Sequence, residues 1–140
     1  MGILNQMRVL RPDFRARAAF AIDFVDETGA RCVPFGDEAT VRDKLLYLCD
    51  HGYELMCHTA NHVDMGGMTR EQAQDEYDCF FDLLGKHVRP YELQVRGIAY
   101  PFGSVPRKQE VRDLSRTVFG FEAAAWGWPG KAFGRADPKN

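Results

Sequence analysis

An α/β fold with mostly parallel strands is what this sequence predicts, and three observations predict it. Short apolar runs at Arg17 to Val25, Tyr53 to Cys57 and Val95 to Tyr100 read as strands. Helical patterns at Val41 to His51 and Thr69 to Leu84 separate them, the alternation of βα units joined by right-handed crossovers. The runs are continuous: Ala18-Ala19-Phe20-Ala21-Ile22-Asp23-Phe24 is nearly all apolar, which implies burial on both faces, as in parallel sheets.

A short N-terminal helix is expected at Leu4 to Leu10, and Pro12 separates it from the first strand. After that strand, Thr28-Gly29 and Pro34-Phe35-Gly36 are turn signals. In the helix from Val41, residues Val41, Leu45, Leu48 and Cys49 share one face, and Gly52 supplies the C-terminal stop. Gly66-Gly67 opens a loop after the second strand, and Thr69 with Gln72 makes a capping box. Ala73, Tyr77, Phe80, Phe81 and Leu84 then recur at helical spacing and form a core stripe. The third strand ends in Pro101-Phe102-Gly103. Pro106 is placed to start a helix that turns Val111 and Leu114 inward. Val118 to Trp126 contains a further strand, and the tail from Trp128 to Asn140 reads as loop.

The 140 residues suffice for one domain around a single core, with no linker or internal repeat in view. A hydrophobic content of 45% argues against disorder. The formal net charge is -2 and no basic stripe occurs, so nucleic-acid binding has no electrostatic basis. No apolar run approaches the ~20 residues of a membrane helix. Met1 to Arg11 lacks the apolar core of a signal peptide, which makes a cytoplasmic location the default expectation. Cys32, Cys49, Cys57 and Cys79 contain no C-x-x-C pair, so buried reduced thiols are a better reading than a zinc knuckle.

The chemistry concentrates in His58-Thr59-Ala60-Asn61-His62. Two histidines stand four positions apart, just past the C-terminal end of a strand, where α/β sheets place their sites. Two neutral imidazoles can share a divalent metal, while a third ligand, preferably a carboxylate, must come from elsewhere. An H-x-x-x-H match alone is a weak signal, and ordinary loop histidines show it too. Ala99-Tyr100-Pro101-Phe102-Gly103 ends a strand at the same edge. Backbone N–H groups in such a turn can hold a developing oxyanion, although taken alone the motif is a plain strand-ending turn.

Together these elements carry a resemblance. The order strand, helix, Gly-Tyr-Glu-Leu-x-x-His-Thr-x-x-His, capped helix, Ala-Tyr-Pro-Phe-Gly resembles the polysaccharide deacetylase family, the NodB-homology domain of carbohydrate esterase family 4. It covers roughly Pro12 to Phe121, and Ala19-Phe20-Ala21-Ile22 is similar to the family's second strand. The resemblance implies a partial, distorted (β/α) barrel and metal-dependent removal of acetyl groups from N-acetylated or O-acetylated polysaccharide. It implies that His58 and His62 bind the metal, most simply Zn2+, and that Thr59 supports the motif at the substrate groove. It further implies that Tyr100, Pro101 and Gly103 line the groove, and that the Phe102 N–H is the catalytic oxyanion donor.

The sequence also departs from the family pattern. The Thr-Phe-Asp-Asp-Gly motif, with catalytic base and metal-ligand aspartates, is expected upstream of Ala19 and is not present. The arginine that orients the base is replaced by Ala99, and no histidine follows Ser115 to supply the late Leu-x-His motif. Asp23 and Asp26, at the end of the first strand, are both candidates for the missing oxygen ligand, although solvated loop carboxylates are commoner. His51 and His87, near helix ends, read as surface or capping residues. An incomplete domain is therefore expected at 1–140, with weak or no activity of its own. Its exposed first strand offers an edge for self-association. The alternative is a non-catalytic metal- or carbohydrate-binding module, in which Tyr100, Phe102, Trp126 and Trp128 give stacking surface.

Overall fold

Four short strands pair in parallel in the order of the chain: β1 (Ala19–Ile22), β2 (Glu54–Cys57), β3 (Val95–Ala99) and β4 (Ala123–Ala125). The computed structural model describes residues 18–89 and 91–125, together with Gln6, Val9 and Leu10. Among the described residues three α-helices lie in the connections, α1 (Val41–Asp50), α2 (Arg70–Gly85) and α3 (Gln109–Thr117). Parallel neighbours require such crossovers, because a tight hairpin can only reverse the chain.

The register sorts the side chains into two layers. Ile22, Cys57, Ile98 and Ala124 are cross-strand partners in one row. Ile22, Cys57 and Ile98 are sealed in the core with Leu55, Val41, Leu45, Ala73, Tyr77, Phe80, Val111 and Leu114. The next row, Ala21, Met56, Gly97 and Ala123, points to the opposite face, since successive strand residues alternate. Here small residues are a steric requirement. A Cβ at Gly97 would lie 2.8 Å from Met56 Cε and 3.0 Å from the Ala123 carbonyl oxygen.

Continuous apolar sequence predicts burial on both faces, and β1 departs from that. Ile22 is buried, but Ala19 and Ala21 are exposed. β1 is the edge of the described sheet, and alanine leaves little apolar area to cover. The strand is also shorter than its apolar run. Beyond Ile22 the chain turns into a loop in which Val25 forms a lone antiparallel bridge with Arg31.

The helices follow their sequence signals closely. α1 buries Val41 and Leu45 and half-buries Leu48 and Cys49, and Gly52 ends the segment at φ +72°. In α2 both halves of the capping box form: Gln72 N donates to Thr69 Oγ1 at 3.3 Å, and Thr69 N donates to Gln72 Oε1 at 2.9 Å. Its stripe buries Ala73, Tyr77, Phe80 and Leu84, while Phe81 is half-buried. Tyr77 joins α2 to α3 through a 2.9 Å hydrogen bond to Ser115, and burial pushes its phenol pKa well up. α3 starts at Gln109 rather than at Pro106. Pro106 is buried ahead of it, and its carbonyl accepts from Arg112 at 2.6 Å.

Gln6, Val9 and Leu10 are helical, in line with the helix expected at Leu4 to Leu10. The other residues of that segment, Pro12, Arg17, Trp126 and the tail from Trp128, lie outside the described residues. None of the four cysteines forms a disulfide; Cys57 is buried and the other three are half-buried. No described helix is long and apolar enough to cross a membrane. The crowding at Gly97 generates a test. Gly97→Val is expected to lower the unfolding free energy by about 1–3 kcal/mol, read by urea denaturation. Met56→Ala in the same chain should recover part of the loss, because the thioether is one of the two groups in the way.

Candidate metal centre

Register alone brings two of the site residues together. Ile22 pairs with Cys57, so Asp23 and His58 leave the sheet side by side, at the ~4.8 Å spacing of neighbouring strands. Cys57 pairs with Ile98, which places Ala99 on the other side of His58. The Ala99 carbonyl accepts a 2.7 Å hydrogen bond from His58 Nδ1. A carbonyl only accepts, so Nδ1 carries the proton and Nε2 keeps its lone pair for a ligand.

His62 arrives from the loop. Its ring centroid is 4.8 Å from that of His58, with the planes at 64°. One ligand atom each from Asp23, His58 and His62 lies within 4.8 Å of the others, and all three residues are half-buried. Two imidazole nitrogens and one carboxylate oxygen are a donor set suited to zinc, and they leave a position open. Of the two aspartates singled out in the sequence, only Asp23 joins this group. Asp26 turns its Oδ1 to its own loop, accepting from Thr28 N (2.8 Å), Thr28 Oγ1 (2.6 Å) and Ala30 N (3.1 Å). The Thr28 bonds, hydroxyl first, hold its carboxyl below the usual carboxylate range.

The loop that carries His62 turns through two left-handed residues. Thr59 has φ +61° and His62 has φ +51°. Left-handed backbone is a true outlier for a β-branched residue and costs of order 1–3 kcal/mol per site. Specific bonds hold it. Thr59 is fully buried, its N–H donates to Cys57 Sγ at 3.4 Å, and its hydroxyl accepts from Val63 N at 3.3 Å. On α2, Glu76 Oε2 accepts from Ala60 N and Asn61 N, both at 3.1 Å. Arg31 donates to the Ala60 carbonyl. Further along, Asp64 accepts from Ser104 Oγ and from Gly66 N, tying the histidine loop to the segment after β3. These bonds, Ser104 first, keep the Asp64 carboxyl low.

The Pro101–Gly103 turn stands at the same rim. Phe102 is held at φ +56°, its ring meets His62 edge-on at 4.7 Å, and it is 68% exposed. The Phe102 N–H has no hydrogen-bond partner among the described residues. Two expectations about the groove need correction. Tyr100 is only 6% exposed and packs in the core, so it offers no surface to a sugar. Thr59 is sealed beneath the loop, where its hydroxyl serves the backbone rather than a substrate. Pro101 is buried and Gly103 half-buried, which leaves Phe102 as the accessible part of the motif. His87 is also corrected: its side chain is 9% exposed, stacks over Phe24 and lies 3.2 Å from the Glu38 carboxylate. His51 caps α1, its Nδ1 2.8 Å from the Tyr47 carbonyl. Arg31 and Glu76 were not legible in the sequence as site residues; a carboxylate beside a core stripe is ordinary on any amphipathic helix.

No family model matches the chain, and no curated protein matches it by sequence. Solved structures do match its fold. A CE4 family pseudoenzyme from Bacillus anthracis is similar with a TM-score of 0.52 at 15% identity, over 86% of this chain and 37% of that one. A mutant of a CE4 family pseudoenzyme with restored enzymatic activity gives 0.53 at 15% identity, over 88% of this chain and 39% of that one. This chain therefore spans less than half the length of either. The parallel sheet in chain order, with its helical crossovers, is part of the distorted barrel of the CE4, or polysaccharide deacetylase, fold.

Proposed function

We propose that the chain carries a metal-dependent hydrolytic site of the deacetylase type, acting on acetyl groups of N-acetylated or O-acetylated saccharides. The observation that carries the proposal is the convergence of Asp23, His58 and His62 to within 4.8 Å at the C-terminal rim of the sheet. A zinc ion held by these three residues would supply Lewis acidity toward water and an acetyl carbonyl.

The chain's own residues account for the rest. Ala99 fixes the His58 tautomer, so that Nε2 faces outward as a base for the ion. Asp23 is steadied by Val25 N, which donates to its Oδ1 at 3.1 Å. Phe102 presents an N–H with no hydrogen-bond partner among the described residues, the type of donor that stabilises an oxyanion. Its exposed ring gives an apolar wall against which a sugar face can lie.

A second reading has a specific observation behind it. The cluster contains a single carboxylate, and an aspartate that holds the ion is not free to take a proton from water. A non-catalytic metal- or carbohydrate-binding module has the same three ligands and no turnover. Slow hydrolysis is accordingly expected of this chain.

Two measurements test the proposal. Calorimetric titration with Zn2+ is expected to show a single site. Asp23→Ala should weaken it about tenfold or more, and Asp26→Ala should leave it unchanged. Equal losses from both variants would remove Asp23 from the ligand set. Acetate release from a chitin oligomer with added zinc is expected to be slow, above the metal-free blank, and lost in His58→Ala. Metal binding without any acetate release would favour the binding module.

A further inference from the structure

The bonds around Asn61 have a direction that the metal ligands alone do not explain. Arg31 donates twice, from one guanidinium nitrogen to the Ala60 carbonyl and from the other to Asn61 Oδ1. Glu76 accepts on the opposite side. Its Oε2 takes Asn61 N at 3.1 Å, together with Ala60 N, and its Oε1 takes Asn61 Nδ2 at 2.6 Å. Two amides thus lie between a guanidinium and a carboxylate, like two rungs. One is the peptide joining Ala60 to Asn61, and the other is the Asn61 side chain. Each turns its carbonyl to Arg31 and its N–H to Glu76.

Arginine has only donors and an ionised carboxylate only acceptors, so neither rung can be reversed. The orientation of the peptide between the two histidines is therefore fixed from outside the site. We propose that Arg31, Asn61 and Glu76 are positioning residues that set the separation of the His58 and His62 imidazoles. They do so by locking the plane of the Ala60–Asn61 peptide. This inference rests on the metal-site reading above. The lock acts between Thr59 and His62, the two residues of this loop with left-handed backbone, where an unrestrained chain would relax.

The directionality yields a test by exchange. Glu76→Gln keeps the size of the side chain but turns an amide NH2 toward Asn61 Nδ2, donor against donor. Flipping Asn61 only moves the conflict to Arg31. Asn61→Asp sets a second carboxylate against Glu76. Combining the two substitutions satisfies every group again: the introduced carboxylate accepts from Arg31 and from the introduced amide, whose oxygen accepts the two backbone N–H groups. Net charge is that of the original chain.

Titration of the folded full chain with Co2+, followed by its visible absorption, reads the geometry around the ion as well as the affinity. Thermal melting of the metal-free proteins reports folding separately. Each single variant is expected to weaken Co2+ binding about tenfold to a hundredfold and to alter the spectrum. The double variant is expected to return to within about threefold of the original affinity, with the original spectrum. Unchanged binding in Glu76→Gln would overturn the inference, as would a double variant no better than the singles. Absence of Co2+ binding in the unsubstituted chain would instead overturn the metal-site reading itself, and the inference with it.

Discussion

Strand register is the constraint on which the rest of this structure depends. Parallel pairing of Ile22 with Cys57 and of Cys57 with Ile98 sets three residues abreast at the rim: Asp23 and His58, just past their strands, and Ala99, the last residue of β3. A slip of one residue in either pair would turn a side chain to the wrong face. The slip is opposed by the core, because Ile22, Cys57 and Ile98 would have to leave it together. Hydrophobic burial thus sets the alignment, and the alignment sets the chemistry at the rim.

Against that frame, the remaining candidate ligand sits on left-handed backbone. His62 lies in a loop whose left-handed residues are the histidine itself, a residue type that tolerates such φ values, and a threonine, for which they are costly. The compensation is local and polar. Backbone groups of residues 59 to 61 are taken up by Cys57, Glu76 and Arg31, and the loop is tied onward to Ser104 through Asp64. Phe102, the third left-handed residue of the rim, leans its ring on His62. Strain of this kind persists only where its surroundings over-determine it, and it is found where a side chain must be aimed rather than merely packed.

Much of this was legible in the sequence because the signals were local. The capping box of α2, the glycine stop after α1, the α2 core stripe and the histidine pair all rest on spacings of a few residues. What was not legible depended on pairing. The sequence offered Asp23 and Asp26 equally, and the choice came from the register of β1 against β2 and from the tight loop that occupies Asp26. Tyr100 read as groove lining because its motif, Ala99-Tyr100-Pro101-Phe102-Gly103, resembles the family's groove wall. It is core because the chain turns only after it, at Pro101. Arg31 and Glu76 reach the Ala60–Asn61 peptide from far along the chain, and no spacing rule announces such a meeting.

Cys57 carries a consequence for which elements this rim will accept. A thiol one residue from an imidazole ligand is ordinarily a competitor for soft ions and an early target of oxidation. Here the pleat directs its sulfur into the core while His58 faces the rim, and burial pushes the thiol pKa up, which disfavours the thiolate. The cluster of Asp23, His58 and His62 offers nitrogen and oxygen to a cation, with the neighbouring sulfur of Cys57 turned into the core. A soft cation arriving at this cluster would meet imidazole and carboxylate, with the Cys57 thiol buried behind them.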